Sequence, residues 1–337
     1  MKAQTIIGVD VSKLKLDCVV LPAGKSLQIS NEKKGFTRWM RWLKEQAVNL
    51  EEVLVVMEDT GHYTHVFELF LQSGQIDYVK LPAIEIKKSS GMTRGKSDRI
   101  DAVRIAQYGW LRKEKLTGQL YPTQAIMKLR DLLSYRDKLV RDRSGYKARL
   151  KELLATCRIS KGGFLYAQQL EDISYFDKKI PVIEKQIWLL VKSYPELQNN
   201  FELLQTIKGA GRITAVYMIA YTNNFTRFSD ARKFNCYCGL APFEHSSGKS
   251  IRGKSRVSHL ANKHIKCILR LAAFVSVRYN QELKQYYERR VREGKSKMST
   301  LNIIGSKLIS RMFAVVRKQT PYIEQLQKLP DIYLEES

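Results

Sequence analysis

The chain has 337 residues, enough for two or three domains with a core each. Its 58 lysines and arginines outweigh 33 aspartates and glutamates, a formal charge of +25, which points to a polyanionic partner because every neutralised phosphate releases counterions. No apolar run approaches the roughly 18 residues of a membrane span, no signal peptide or lipidation motif is read, and five scattered cysteines form no disulfide framework, so a cytoplasmic nucleic-acid-binding protein is expected and a membrane or secreted one is not.

Residues 1–30 read as three strands joined by tight turns: Thr5 to Asp10, Leu16 to Leu21, and Ser26 to Ile29. A helix is predicted from Gly35 to Ala47, with Phe36, Trp39, Met40 and Leu43 on one side. Val53 to Met57 is a β-branched run ending at Glu58; a helix carrying Val66, Phe67, Leu69, Phe70 and Leu71 follows, then a strand from Tyr78 to Leu81. Three consecutive antiparallel-type strands and then alternating helix and strand is the order of a ribonuclease-H-like α/β sheet, with the first strand central.

The segment Lys87 to Lys96 is basic, holds glycine and serine, and lacks hydrophobic periodicity, as a solvated or phosphate-contacting loop would. Ser97 then reads as the N-cap of a helix whose first turn holds Asp98 and Asp101. Residues three apart share a helix face, with Cβ atoms about 5–6 Å apart, close enough for two carboxylates to grip one divalent cation. Alone, such a pair only complements the helix macrodipole. Here Asp10 and Glu58 each end a buried strand, and functional groups in open α/β sheets collect beyond the carboxyl ends of strands, so four carboxylates are predicted to converge.

From Thr123 onward, Leu129, Leu132, Leu133, Leu139, Val140, Tyr146, Leu150, Leu153 and Leu154 recur at helical spacing among dense charges, predicting a long amphipathic helix to Cys157. Ser160 to Gly163 breaks it. A second helix, with Pro181 in its first turn, carries Ile183, Ile187 and Leu190 to Pro195 and completes an antiparallel hairpin that serves as a spacer or a dimerisation device. The last domain starts near Asn200. Leu204 to Thr214 contains Gly209-Ala210-Gly211, the G-x-G turn of a helix-hairpin-helix, whose backbone amides can hold a DNA phosphate.

Cys236 and Cys238 with His245 lack the spacing of a zinc site, and the cysteines are expected as buried thiols. Beyond Glu244 no acid appears before Glu282, while Lys249, Arg252, Lys254, Arg256, Lys263, Lys266, Arg270 and Arg278 do, a pattern for phosphate binding. Ser246 and Ser247 precede Gly248 on a predicted loop ringed by these cations, as a hydroxyl nucleophile would be presented to a phosphate. The expected class is α/β plus all-α: an N-terminal domain over residues 1–120, a helical coiled-coil hairpin over 121–198, and a mainly helical C-terminal domain over 199–337.

Asp10 in G-V-D-V-S, Glu58 in M-E-D-T-G, and Asp98 and Asp101 in G-K-S-D-R-I-D-A resemble the D-E-D-D tetrad of transposases of the insertion sequence 110 family, and G-L-A-P…H-S-S-G resembles the motif of that family's second domain. The likeness extends over residues 4–290 and is shared by related site-specific DNA invertases. It implies a RuvC-like first domain holding Mg²⁺ or Mn²⁺ on Asp10, Glu58, Asp98 and Asp101, and a second domain with a serine nucleophile at Ser247, Ser246 being the runner-up. It further implies recombination of double-stranded donor and target DNA through a covalent phosphoserine, directed by an element-encoded structured guide RNA, in a homo-oligomer (dimer or tetramer) beside the nucleoid. Two other readings stay open: a RuvC-like, metal-dependent, structure-specific endonuclease using the four acids alone, and a non-catalytic nucleic-acid-binding protein. A covalent protein–DNA adduct excludes the first, and metal-dependent strand breakage the second.

Overall fold

Burial of the central strands on both faces sets the architecture of the N-terminal unit. The computed structural model describes residues 3–59, 61–89, 98–116, 118, 121–241, 243–247, 251–257 and 260–324. In chain order the first unit comprises β1 (Thr5–Val11), β2 (Lys15–Leu21), β3 (Lys25–Ser30), α1 (Lys33–Glu45), β4 (Val53–Glu58), α2 (His65–Ser73), β5 (Asp77–Leu81), α3 (Ala83–Ser89) and α4 (Asp98–Arg112). The sheet order is β3-β2-β1-β4-β5, with β1 central, antiparallel to β2 and parallel to β4.

Side chains alternate across a strand, so β1 and β4 each serve two layers. Ile7, Val9, Val11, Val53, Val55 and Met57 join Phe36, Trp39, Leu43, Phe67 and Leu71 of α1 and α2 in one core. Ile6, Leu54 and Val56 join Ile105 and Tyr108 of α4 in another. Gly8, Asp10 and Glu58 follow the second set in period, which puts both strand-end acids on the α4 face.

Three residues of the basic segment, Lys87 to Ser89, are helical rather than looped, since they close α3. Residues 90–97, including the expected cap Ser97, lie outside the described residues.

The second unit begins at Pro122; the chain divides into Met1–Tyr121 and Pro122–Ser337. Its first elements are α5 (Gln124–Ala155), capped by Thr123 Oγ1, which accepts from Ile126 N, and α6 (Phe164–Lys192). Pro181 therefore sits in the interior of α6, not in its first turn, and the helix starts well before the sequence suggests. A proline there removes the donor to the carbonyl four residues back. The helix nevertheless continues, because it is held along α5 by Arg136 to Glu184 at 2.7 Å, by Arg143 to Asp177 at 2.9 Å, and by buried Leu139, Leu150, Ile173 and Ile180.

Then come α7 (Pro195–Gln205), α8 (Arg212–Thr222), α9 (Ala231–Cys238), β6 (Phe243–Ser247), β7 (Ile251–Arg256), α10 (Lys263–Tyr279), α11 (Gln281–Arg292) and α12 (Lys297–Lys318). Beyond its first two residues, helix α8 is mostly apolar and buried on every face, as expected for a helix at the centre of its unit. Ile126, Leu129, Leu133, Ile187 and Val191, from the base of the hairpin, share its core with α10 and α12. The five cysteines are free; of the two expected as buried thiols, Cys238 is buried and Cys236 only half-buried, while Cys18 is buried and Cys157 and Cys267 are exposed. Among the described residues no helix is long and apolar enough to cross a membrane.

Candidate catalytic site

Close approach of α4 to the sheet begins with three small residues. A Cβ on Gly8 of β1 would stand 2.6 Å from the Ala102 carbonyl oxygen, and one on Gly109 would stand 2.7 Å from Val56 Cγ2 and 2.8 Å from Ile6 Cγ2. Ala102, Ala106 and Gly109 recur at helical spacing, so α4 lays a smooth stripe directly onto the backbone of β1. That contact carries the first turn of α4, with Asp98 and Asp101, to the end of β1 where Asp10 lies. Glu58 enters from β4: it and Asp10 each stand one residue beyond the parallel pair Val9–Met57.

Electrostatics register the result. Burial pushes the Asp10 carboxyl up from 3.8 to about 6, and the charges of Asp101, Asp98, Glu58 and Asp17 push the same way. Glu58 is also raised, by burial and then by Asp101, while Lys87 opposes the shift. The four acids named from sequence are therefore electrostatic neighbours. Two of them hold cations: Lys15 Nζ lies 2.7 Å from Asp98 Oδ2, and Arg104 Nη1 lies 2.8 Å from Asp101 Oδ1. Among the described residues no three His, Cys, Asp or Glu side chains stand close enough to hold one ion.

The donor set itself fits a divalent metal. Carboxylate oxygens are the ligands of hard cations such as Mg²⁺ and Mn²⁺, and Asp10 is an acid held ionised only at a cost that a bound cation would remove.

In the second unit the serines lie on a two-stranded ribbon rather than on a loop. Ser246 pairs with Arg252 and Ser247 with Ile251, across from each other on β6 and β7; residues 248–250 lie outside the described residues. Alternation of small, polar and basic residues gave no strand signal of its own, and antiparallel pairing supplied it. The base of the ribbon is tightly held. Gly239 adopts φ +65°, a left-handed conformation, and a Cβ there would stand 2.5 Å from Ala261 Cβ, so only glycine lets the two ends of the ribbon approach. Asn262 donates from its backbone N–H to Tyr237 O at 2.8 Å and from Nδ2 to Tyr237 Oη at 3.0 Å, while its Oδ1 accepts from the amides of His264 and Ile265, each at 3.1 Å.

One polar cluster beside this base carried no sequence signal. The Tyr217 hydroxyl donates to Asp137, and His264 Nε2 stands 2.8 Å from Asp137 Oδ2, a charge contact not aligned as a hydrogen bond. Burial, and then Asp137, raise the Tyr217 hydroxyl well above its ordinary value. The three residues come from α5, α8 and α10, and no local spacing connects them.

The first unit thus carries a strand-end acid cluster, and the second is mainly helical and rich in cations. Residues 7–159 match the DEDD-type insertion sequence 110 model described as "Transposase", and residues 201–288 match the model described as "Transposase IS116/IS110/IS902 family", together well over half of the chain. The chain is 25% identical over 333 residues to the "Pilin gene-inverting protein" of Moraxella bovis, covering 97% of this chain and 100% of that protein. It is 24% identical over 272 residues to the transposase for insertion sequence element IS1111A of Coxiella burnetii, covering 74% and 71%. Over 140 residues it is 30% identical to an uncharacterised 43.6 kDa protein of insertion element IS110 in Streptomyces coelicolor, covering 42% and 33%. The protein is thus a transposase, an enzyme that cuts and rejoins DNA. It belongs to the IS110 family.

Proposed function

We propose that the first unit is a RuvC-like domain whose Asp10, Glu58, Asp98 and Asp101 hold Mg²⁺ or Mn²⁺, and that Ser247 is the nucleophile of strand transfer. The observation that carries the metal site is the convergence of the charges of Asp98 and Asp101, brought by the Gly8–α4 contact, and of Glu58, from β4, on Asp10. When bound, the metal supplies Lewis-acid stabilisation of charge on the phosphate oxygens. Ser247 Oγ forms the new bond to phosphorus as one phosphate–deoxyribose ester bond breaks, and the hydroxyl proton ends on the released deoxyribose oxygen. One ester replaces another, so the bond energy is retained in a phosphoserine, and attack by a second strand's hydroxyl reverses the step and rejoins DNA. The chain's three functional parts are then residues 1–120 for metal chemistry, 121–198 for self-association into a dimer or tetramer, and 199–337 for the nucleophile. Double-stranded donor and target DNA are the substrates, selected by a structured guide RNA, in the cytoplasm beside the nucleoid.

Incubation of the protein with guide RNA, labelled donor and target DNA, followed by a detergent quench, tests the mechanism. A protease-sensitive DNA shift is expected from wild type and from Ser246→Ala, and none from Ser247→Ala, with nucleic-acid binding kept in all three. The reverse pattern moves the nucleophile to Ser246; adducts in the double variant exclude a serine. A second reading, metal-dependent hydrolysis by the acids alone, is favoured by the grouping of all four acids within one unit. It predicts strand breakage by Ser247→Ala with no adduct in any variant.

A further inference from the structure

Among the described residues, Lys15 and Arg104 both form ion pairs with acids of the cluster, and they have different origins. Arg104 lies three residues along the same helix from Asp101, a pair any helix supplies. Lys15 comes from another element, and its backbone is fixed where β1 turns into β2: Ser12 N–H donates to Lys15 O at 3.0 Å, Ser12 Oγ donates to the same oxygen at 2.8 Å, and Lys15 N–H donates to Ser12 Oγ at 3.2 Å. The antiparallel pair that carries Asp10, opposite Asp17, thus also fixes the root of Lys15, whose ammonium reaches Asp98 Oδ2 at 2.7 Å.

An ammonium and a divalent ion cannot both sit against one carboxylate without repelling each other. Like charges at contact distance repel even in water, and more strongly where water is partly excluded. We propose that Lys15 is the built-in counter-ion of the acid cluster, competing with the divalent metal for Asp98, so that the cluster loads metal only as Lys15 is displaced. The proposal rests on the reading of the four acids as a metal site. Lys15 is on this view a positioning residue, which sets the metal concentration at which the cluster fills.

Calorimetric titration of the full chain with MnCl₂ at low ionic strength reads this directly, without activity. Lys15→Gln is expected to bind Mn²⁺ about three- to ten-fold more tightly than wild type, the range given by losing one nearby partly exposed charge. Lys15→Arg, which keeps the charge, should stay near wild type. Lys13→Gln removes a charge from the same turn that makes no ion pair among the described residues, and should change affinity less than about two-fold. Circular dichroism melts confirm that each variant is folded. Equal or weaker Mn²⁺ binding by Lys15→Gln overturns the proposal, as does a Lys13→Gln effect of the same size. A wild type that takes up no Mn²⁺ instead removes the metal reading itself, and the proposal with it.

Discussion

At the scale of single residues, Asp10 carries the most informative charge. Its folded carboxyl titrates at about 6, against 3.8 ordinarily. Between these values the native state keeps a proton that the unfolded chain releases, so metal-free stability falls as pH rises through that window and stays reduced above it. Asp10→Asn removes the ionised form. In chelator at about pH 7.5 the variant should be more stable than wild type by about 1 kcal/mol, a figure discounted for the partial solvent exposure of the carboxyl, and at about pH 4 the two should coincide. Urea unfolding followed by circular dichroism at both pH values measures it; the same gap at both would mean that charge is not the cause. The largest cause, burial, has no local sequence signal, and of the four acids that press on Asp10 only Asp17 is close in the chain; Glu58 arrives from β4 and Asp98 and Asp101 from α4.

At the scale of elements, the seating of α4 on β1 decides whether an acid cluster exists at all. Gly8→Val would drive a branched side chain into the Ala102 carbonyl, a close-packed backbone contact with no flexible neighbour to yield. A destabilisation of about 3 kcal/mol or more is expected, from overpacking that the α4 backbone can relieve only by moving away. Thermal unfolding should show it, and Mn²⁺ titration of the folded fraction should show weakened binding. Near-wild-type values for both would mean that α4 is not set by this contact. The sequence already named the strands, α4 and both acids of its first turn, since each is a local pattern of period 2 or 3.6. Pro181 misled for the same reason: local chemistry argues for a helix start, whereas the long packing against α5 carries α6 through it.

At the scale of the whole molecule, a charge of +25 makes salt the natural probe. Charge reversal at Lys254 and Arg256, both on β7, should weaken DNA and RNA binding across all sequences. The slope of log affinity against log salt should fall in magnitude by about 2 on duplex DNA, roughly 0.9 for each phosphate that is no longer neutralised. An unchanged slope would place both side chains in solvent.

What is local or additive was legible in one dimension: the basic balance, the strand and helix periods of the first unit, the long hairpin, and the positions of acids at strand ends and in the first turn of α4. Periodicity and net charge survive there because each residue contributes independently of what it later touches. Tertiary structure decided what depends on pairs of distant residues. It placed Asp10 among four other carboxylates, put Lys15 on Asp98, joined Asp137 to Tyr217 and His264, and turned the segment around Ser247 from an expected loop into a paired strand. Each of these is an interaction between elements, and its energy comes from burial, charge and backbone pairing that exist only once those elements are packed.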